Sequence, residues 1–156
     1  MNIIHRGMLG LSGLGLSMLG LSGLGAASEA SATTTLDNLP AVERALDDGA
    51  SVAVVIDLSL CQPASADSKP TKTRGGRHID AYRVTEDGSL AFADDHFTIG
   101  RDGKPIRQFL RYQVHPNGAA DFSMAVFSMP NFERVGTTLE YTCAIGKGMR
   151  FVAAQG

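Results

Sequence analysis

Three turn dipeptides at equal intervals constrain the fold of this chain more than any other feature. They are Asp87-Gly88, Asp102-Gly103 and Asn117-Gly118, and each glycine follows the previous one by 15 residues. Such dipeptides supply the positive φ angles that tight β-hairpin turns require. The β-rich runs around them cover residues 78–84, 90–99, 106–115 and 120–129. The spacing therefore predicts a meander of antiparallel strands.

The segments outside the meander predict one helix and three more strands. Residues 39–48 have an amphipathic helical pattern, with Asn38 as N-cap, Pro40 in the first turn and Gly49 after the end. Residues 51–61 read as a central strand, because apolar residues alternate on one face and also begin the other. The remaining segments are a loop at 62–76 and strands at 137–144 and 149–153. The expected fold is mainly β: an antiparallel meander of about seven strands forming a small sandwich or barrel, with one N-terminal amphipathic helix.

The strand at 90–99 changes its apolar face part-way along. Leu90 and Phe92 are even-numbered, whereas Phe97 and Ile99 are odd-numbered. One extra residue in a strand turns every later side chain to the other face. The pattern therefore predicts a one-residue bulge at 94–96, or a tight break between two shorter strands.

Residues 1–32 have the three parts of a secretory signal peptide. Arg6 gives a short basic start, an uncharged apolar stretch runs over 7–27, and Ala30 and Ala32 form an A-x-A cleavage site. An uncleaved membrane anchor is the alternative, and the glycine and serine content disfavours it. The expected organisation is a signal peptide at 1–32, a polar lead-in and helix at 33–49, and a β domain at 50–156. Cleavage near Ala32 predicts a periplasmic or secreted protein with no membrane span in its mature part.

Two cysteines, Cys61 and Cys143, lie 82 residues apart in the mature part. In an exported protein an even pair is most simply one disulfide. Closing a loop of that length stabilises the fold by about 4 kcal/mol in the chain-entropy model. The alternative is a pair of free redox or metal-binding thiols, but the chain contains no C-x-x-C motif.

Charged residues make up 19% of the chain and the formal net charge is −2, so nothing in the overall charge favours nucleic acid as a partner. The densest run of positive charge is a loop with Lys69, Lys72, Arg74 and Arg77, which could bind a polyanion or simply be solvated. No cofactor motif is present, and no cofactor is expected.

Two site hypotheses involve histidine and aspartate. His78, Asp80 and His96 could bind a metal ion if adjacent strands bring them together. Asp94 and Asp95, with His96, could form an acid–base pair, but neighbouring strand residues point to opposite faces unless a bulge turns them. The more ordinary interpretation of each set is exposed polar residues beside a turn or bulge.

Five segments of the chain resemble the VirK family of small exported proteins from plant- and host-associated bacteria. They are VVIDLSLC at 54–61, HIDAY at 78–82, LAFADDHFTI at 90–99, PIRQFLRY at 105–112 and the closing run at 141–151. The resemblance covers about residues 50–153 and concerns the plant-associated family, not an unrelated enterobacterial group of the same name. It implies expression alongside virulence genes and a role in host contact, and it carries over no catalytic residue.

Three functions remain open from the sequence. The first is an exported, non-enzymatic protein of unknown molecular activity that binds a host or envelope protein or an acidic glycan. The second is a secreted hydrolase with a His/Asp site. The third is a β-barrel carrier of a small apolar ligand, whose cavity would be lined by Phe92, Phe97, Leu110, Tyr112, Phe122 and Val126.

Overall fold

The computed structural model describes residues 33–154. The expected signal peptide at 1–32 and its cleavage site lie outside these residues. The strands of the described part are β1 (Thr33–Leu36), β2 (Val52–Asp57), β3 (Gln62–Pro63), β4 (Arg74–His78), β5 (Tyr82–Val84), β6 (Leu90–Ile99), β7 (Pro105–Val114), β8 (Ala119–Ser128), β9 (Glu133–Arg134), β10 (Leu139–Ile145) and β11 (Gly148–Ala154). One α-helix, α1 (Leu39–Asp47), and one 3₁₀ turn (Leu58–Leu60) complete this part of the chain.

The mainly β class and the amphipathic helix are confirmed, but the described residues contain eleven strands where about seven were expected. Asn38 caps α1 by accepting a hydrogen bond from the Ala41 N–H at 3.0 Å, as its position before Pro40 predicts. Leu39, Val42 and Leu46 form the buried stripe of the helix and pack into the core. The extra strands are mostly two to five residues long, too short to leave a periodic pattern.

The central meander is confirmed. β6, β7 and β8 pair antiparallel in sequence order. Gly88, Gly103 and Gly118 have φ angles of 75°, 78° and 81°, which glycine adopts without the strain that a Cβ would cause. The three turn dipeptides therefore join β5 to β6, β6 to β7 and β7 to β8.

The predicted bulge in β6 is wrong. β6 and β7 pair residue for residue from Leu90 opposite Val114 to Ile99 opposite Pro105. Phe97 and Ile99 are 61% and 60% exposed, because they lie on the outer face of the sheet. Asp94 and His96 continue the inner face. The inner face of β6 therefore changes from apolar to polar residues along its length, and the strand does not switch faces.

Two strand boundaries also differ from the expectation. The strand predicted at 51–61 ends at Asp57, whose carboxylate accepts the Ser59 N–H and starts the 3₁₀ turn, so Leu60 is exposed. The end of the predicted loop is β4, which pairs with β2, and the run at 78–84 is divided between β4 and β5. A Cβ on Gly76 would lie 2.9 Å from the Val54 carbonyl oxygen. Glycine at position 76 therefore allows β4 to approach β2 closely and does not mark a loop.

The strands form a curled half-barrel. The hydrogen-bonded path runs β4-β2-β11-β10-β8-β7-β6-β5, with β1 on β11, β3 on β10 and β9 on β8. The two ends of this path, β4 and β5, are consecutive in the chain and joined only by residues 79–81. The path must therefore curl until its ends come close together.

The expected disulfide between Cys61 and Cys143 is present and buried. It fastens the end of the 3₁₀ turn to β10, beside the tight turn into β11. Gly148 lies against this bond: it has a φ of 89°, and a Cβ on it would lie 2.6 Å from Cys61 Sγ. The close approach of β11 to the disulfide requires glycine at this position.

Replacing Gly148 with alanine tests this packing. Gly146 is the control position, because it has a φ of 79° but open space around it. Gly146→Ala is expected to cost about 1–2 kcal/mol, the cost of the left-handed backbone alone. Gly148→Ala adds a steric clash and is expected to cost about 1–3 kcal/mol more. Urea unfolding of the oxidised variants measures both values, and equal losses would contradict the close packing.

Candidate functional site

The inner face of the half-barrel consists of cross-strand rows, which the strand register defines. The deepest row is Leu90, Val114, Ala120 and Cys143 on β6, β7, β8 and β10. All four side chains are buried. This end of the half-barrel is therefore a closed apolar core.

The next row is aromatic and continues across the same four strands. It consists of Phe92, Tyr112, Phe122 and Tyr141. Phe92 stacks on Tyr112 with ring centroids 4.7 Å apart, and Tyr112 meets Phe122 at 5.1 Å. Burial raises the pKa of Tyr112, and the positive charge of Arg77 partly opposes that effect. The aromatic row forms the floor of the space above it.

A cavity of about 630 Å³ begins at the aromatic row. The third row, Asp94, Leu110, Met124 and Leu139, lines it together with Ile56 and Leu58 from the opposite side. His96 and Gln108, which face each other on β6 and β7, lie towards its mouth. The lining thus changes from aromatic at the floor to polar at the mouth.

An ion pair between Arg77 and Asp94 crosses the cavity wall from β4 to β6. Arg77 is opposite Val54 in the β2–β4 register, so its side chain points inwards. The side chains of Arg77 and Asp94 are 30% and 11% exposed. Arg77 also donates from Nε to the His78 carbonyl at 3.1 Å and from Nη2 to Asp80 at 3.3 Å. The pair holds β4 against β6, two strands that share no backbone pairing in the sheet path.

The loop between β3 and β4 forms one side of the cavity and is fastened to β10. Ser68 Oγ accepts the Glu140 N–H at 2.6 Å, and Tyr141 donates its hydroxyl to the Lys69 carbonyl at 2.7 Å. The backbone N–H of Ala64 donates to the Glu140 carbonyl at 2.8 Å. These bonds give the loop a defined position over the aromatic floor.

The residues of the expected polyanion loop are divided between this cavity and the solvent. Lys69, Arg74 and Arg77 line the cavity, whereas Lys72 is exposed and is not among the lining residues. Arg74 lies 3.9 Å from Asp57 and is three-quarters exposed. Three of the four cations are therefore available to a ligand in the cavity, and the fourth faces the solvent.

The suggested metal ligands are also separated. His78 contacts Ser51 Oγ at 3.1 Å, Asp80 is exposed beside Arg77, and His96 lines the cavity. Among residues 33–154, no group of three or more His, Cys, Asp or Glu side chains lies close enough to hold a metal ion. The structure thus does not bring His78, Asp80 and His96 together.

Asp94 and Asp95 point to opposite faces, as neighbouring residues in an unbroken strand do. Asp94 and His96 face the cavity, while Asp95 pairs with Arg107 on the outer face. Only Asp94 and His96 could therefore contact the same ligand, and the carboxylate of Asp94 is already paired with Arg77.

A Ser–His–Asp arrangement that the sequence did not indicate lies at the closed end of the meander. Ser89 Oγ lies 3.0 Å from His115 Nδ1, and His115 Nε2 lies 2.9 Å from Asp121. Ser89 is fully buried and donates to Asp87, so it cannot meet a substrate. The network instead joins the β5–β6 turn to the β7–β8 turn. The two turns are remote in sequence, so no spacing could have indicated this contact.

Asp87 accepts three hydrogen bonds in that network, from the Thr85 hydroxyl, the Ser89 hydroxyl and the Ser89 N–H. Hydrogen bonds from the Thr85 and Ser89 hydroxyls lower the pKa of its carboxyl from 3.8 to about 2. The charged form is therefore favoured in the folded protein.

The comparisons with known proteins agree with one another. The family model described as VirK protein matches residues 35–132. An uncharacterized protein in the pinF2 3' region of Rhizobium radiobacter is 60% identical over 121 residues, which are 78% of this chain and 83% of that protein. The uncharacterized protein y4wH of Sinorhizobium fredii is 53% identical over 130 residues, covering 83% of this chain and 90% of that one.

A solved structure has the same fold. The crystal structure of lpg1832, a VirK family protein from Legionella pneumophila, superposes with a TM-score of 0.67 at 21% sequence identity, covering 75% of this chain and 97% of that one. Within residues 33–154, no helix has the length and apolar character needed to cross a membrane.

A double-mutant cycle on Arg77 and Asp94 tests the ion pair. Arg77→Gln leaves the mostly buried carboxylate of Asp94 without its cation and is expected to cost about 1–3 kcal/mol. Asp94→Asn is expected to cost less, and the double variant to recover part of the loss, with a coupling of about 1–2 kcal/mol. The exposed pair Arg74 and Asp57 is the control and is expected to show no measurable coupling. Additive losses at Arg77 and Asp94 would contradict the pairing.

Asp87→Asn tests the turn network through pH. Because the folded pKa is lowered, the contribution of Asp87 to stability is present above its ordinary value of 3.8 and is lost as the pH falls to about 2. The variant is therefore expected to be less stable than the parent at neutral pH and to approach it in acid. Urea midpoints across that range measure the difference. A difference that does not change with pH would contradict the charged contacts.

Proposed function

The chain belongs to the VirK family, and from that premise we propose that it is an exported, non-enzymatic protein that binds a small molecule with an apolar body inside its half-barrel. The observation that carries the proposal is the cavity above the aromatic row. Its volume of about 630 Å³ lies within the range of small-molecule sites, roughly 300–1,000 Å³.

The cavity lining indicates how such a ligand would lie. Leu110, Met124 and Leu139 offer apolar contact above the rings of Tyr112 and Phe122. Arg77, Asp94 and His96 offer a few polar contacts on the β4 and β6 side. A mainly apolar lining with few convergent polar groups is typical of a site that holds and orients a small molecule.

The lining agrees in part with the apolar cavity expected from the sequence. Leu110, Tyr112 and Phe122 line the cavity, and Phe92 packs beneath it in the aromatic row. Val126 lies on β8 beyond the lining residues, and Phe97 points outwards. Three of the six residues expected from the sequence therefore line the cavity, and Phe92, Phe97 and Val126 do not.

Binding without turnover is favoured over hydrolysis. Asp94 is held by Arg77, Asp95 faces the other side of the sheet, and Ser89 is buried away from the cavity. Of the suggested acid–base residues, only Asp94 and His96 share the cavity, and the ion pair with Arg77 already engages the Asp94 carboxylate that proton transfer would need.

Export and a role in host contact are part of the same proposal. The buried Cys61–Cys143 disulfide supports export, because disulfides persist in oxidising compartments. An exported binding protein could meet its ligand in the envelope or at the host surface.

Filling the cavity tests the proposal. Met124→Trp places a large ring in the cavity, whereas Ser123→Trp places the same ring on the opposite face of β8. The environment-sensitive dye 8-anilinonaphthalene-1-sulfonate should bind the parent and Ser123→Trp in the folded state. Met124→Trp should reduce the affinity for the dye about tenfold or more, because the new ring fills the space that the dye would occupy. A tenfold loss of affinity corresponds to about 1.4 kcal/mol.

Thermal unfolding of each variant confirms that it is folded before the dye is added. Equal dye binding by Met124→Trp and Ser123→Trp would contradict a ligand site in the cavity, as would a parent protein that does not bind the dye.

A further inference from the structure

The outer face of the meander carries a row of alternating aromatic and cationic residues. Phe97 on β6 is opposite Arg107 on β7, Arg107 is opposite Phe127 on β8, and Phe127 is opposite Arg134 on β9. Directly opposed residues share one face of a sheet. The row thus reads Phe, Arg, Phe, Arg across four strands, on the side of the sheet that faces away from the cavity.

Large apolar side chains extend this row into a patch. Phe109 on β7 and Ile99 on β6 lie on the same outer face, and the Phe132 ring lies against Phe109 and Phe127. The side chains of Phe109, Ile99 and Phe132 are exposed, as is Phe97. Monomeric proteins rarely expose so many large apolar residues together, and such patches usually mark a binding surface.

The rings and guanidinium groups of the patch are ordered against one another. Phe109 meets Phe127 edge to face at 5.5 Å, and Phe132 lies 6.5 Å and 6.4 Å from these two rings. Arg107 lies over the Phe109 ring at 5.7 Å, and Arg134 over the Phe127 ring at 5.6 Å. The side chains form a prearranged surface, so little conformational freedom would be lost on binding.

Phe132 is the residue of this patch with an unusual backbone. It has a φ of 56°, in the left-handed region that bulky residues rarely adopt. Backbone strain of this kind is concentrated at functional sites. The strained conformation places the Phe132 ring against Phe109 and Phe127, where it enlarges the exposed aromatic surface.

We propose that this outer row binds a linear acidic polysaccharide in which every second sugar carries the anionic group. Neighbouring strands lie about 4.8 Å apart, so successive arginines of the row repeat at roughly 10 Å. A chain of alternating neutral and acidic sugars repeats its charge over a comparable distance. The apolar face of a neutral sugar would lie on the exposed ring of Phe97, and the next two carboxylates along the chain would meet Arg107 and Arg134.

Charge complementarity favours this ligand over an apolar partner. The planar fork of arginine matches a carboxylate or sulfate, and each guanidinium has five N–H donors. Arg107 donates to Asp95, and Arg134 donates to Thr138 Oγ1. Each guanidinium therefore keeps further N–H donors for a ligand. Asp95 offsets part of the positive charge, so binding depends on ring stacking and charge together. The site is independent of the cavity in the proposed function.

Binding to hyaluronate, whose acidic and neutral sugars alternate, tests the proposal directly. The purified protein should bind hyaluronate and not the neutral polysaccharide dextran, with affinity that falls as salt screens the charges. Phe97→Ala and Arg134→Gln should each weaken binding about tenfold, the effect of one lost charge-assisted contact or stacked ring. Phe97 and Arg134 are exposed, so both variants should remain folded.

Val84→Ala and Lys147→Gln are the matched controls, since they remove an exposed apolar side chain and an exposed cation elsewhere. They should leave hyaluronate binding unchanged, and so should the cavity variant Met124→Trp. Failure to bind hyaluronate would overturn the proposal, as would binding that Phe97→Ala and Arg134→Gln leave intact. Binding only to phosphatidylglycerol vesicles, lost in the same two variants, would overturn it in favour of a lipid surface.

Discussion

The connection at residues 79–81 is the constraint on which the shape of the molecule depends. It joins β4 to β5, which lie at opposite ends of a path of eight hydrogen-bonded strands. A flat sheet of that size would be about 34 Å wide, whereas the linker reaches about 14 Å at most. The sheet must therefore curl, and its curl turns the even-numbered residues of β6, β7 and β8 inwards.

One curl produces two different surfaces. On the concave side the rows pass from a packed apolar layer through four aromatic rings to a cavity with a polar wall. On the convex side the same strands present rings and guanidinium groups to solvent. The disulfide fixes the β10 side of this arrangement, and the Arg77–Asp94 pair fixes the gap between β4 and β6. Ligand binding on either surface would therefore use a framework that is already in place.

Local features of this fold could be predicted from the sequence, and the curl could not. Turn dipeptides, the Asn38 cap and the cysteine pair depend on a few adjacent residues or on the compartment, and each was confirmed. The strand β4 could not be predicted because Gly75 and Gly76 are typical of loops. Their role in close pairing with β2 depends on a strand that is remote in sequence. Phe97 and Ile99 suggested a bulge because an apolar outer patch alternates in the same way as a core. Arg77 and the Ser89 network depend on strands that are remote in sequence, so the candidate site could be predicted only in part, through Leu110, Tyr112 and Phe122.

The central claim is that the curled sheet encloses a site for a small molecule. Native mass spectrometry of the protein, purified from its own cells without denaturation, tests it most directly. The account predicts a second species heavier than the disulfide-bonded polypeptide by the mass of one small molecule, absent from a Met124→Trp variant purified in the same way. A bare polypeptide in every gentle preparation, or an equal adduct on Met124→Trp, would contradict it.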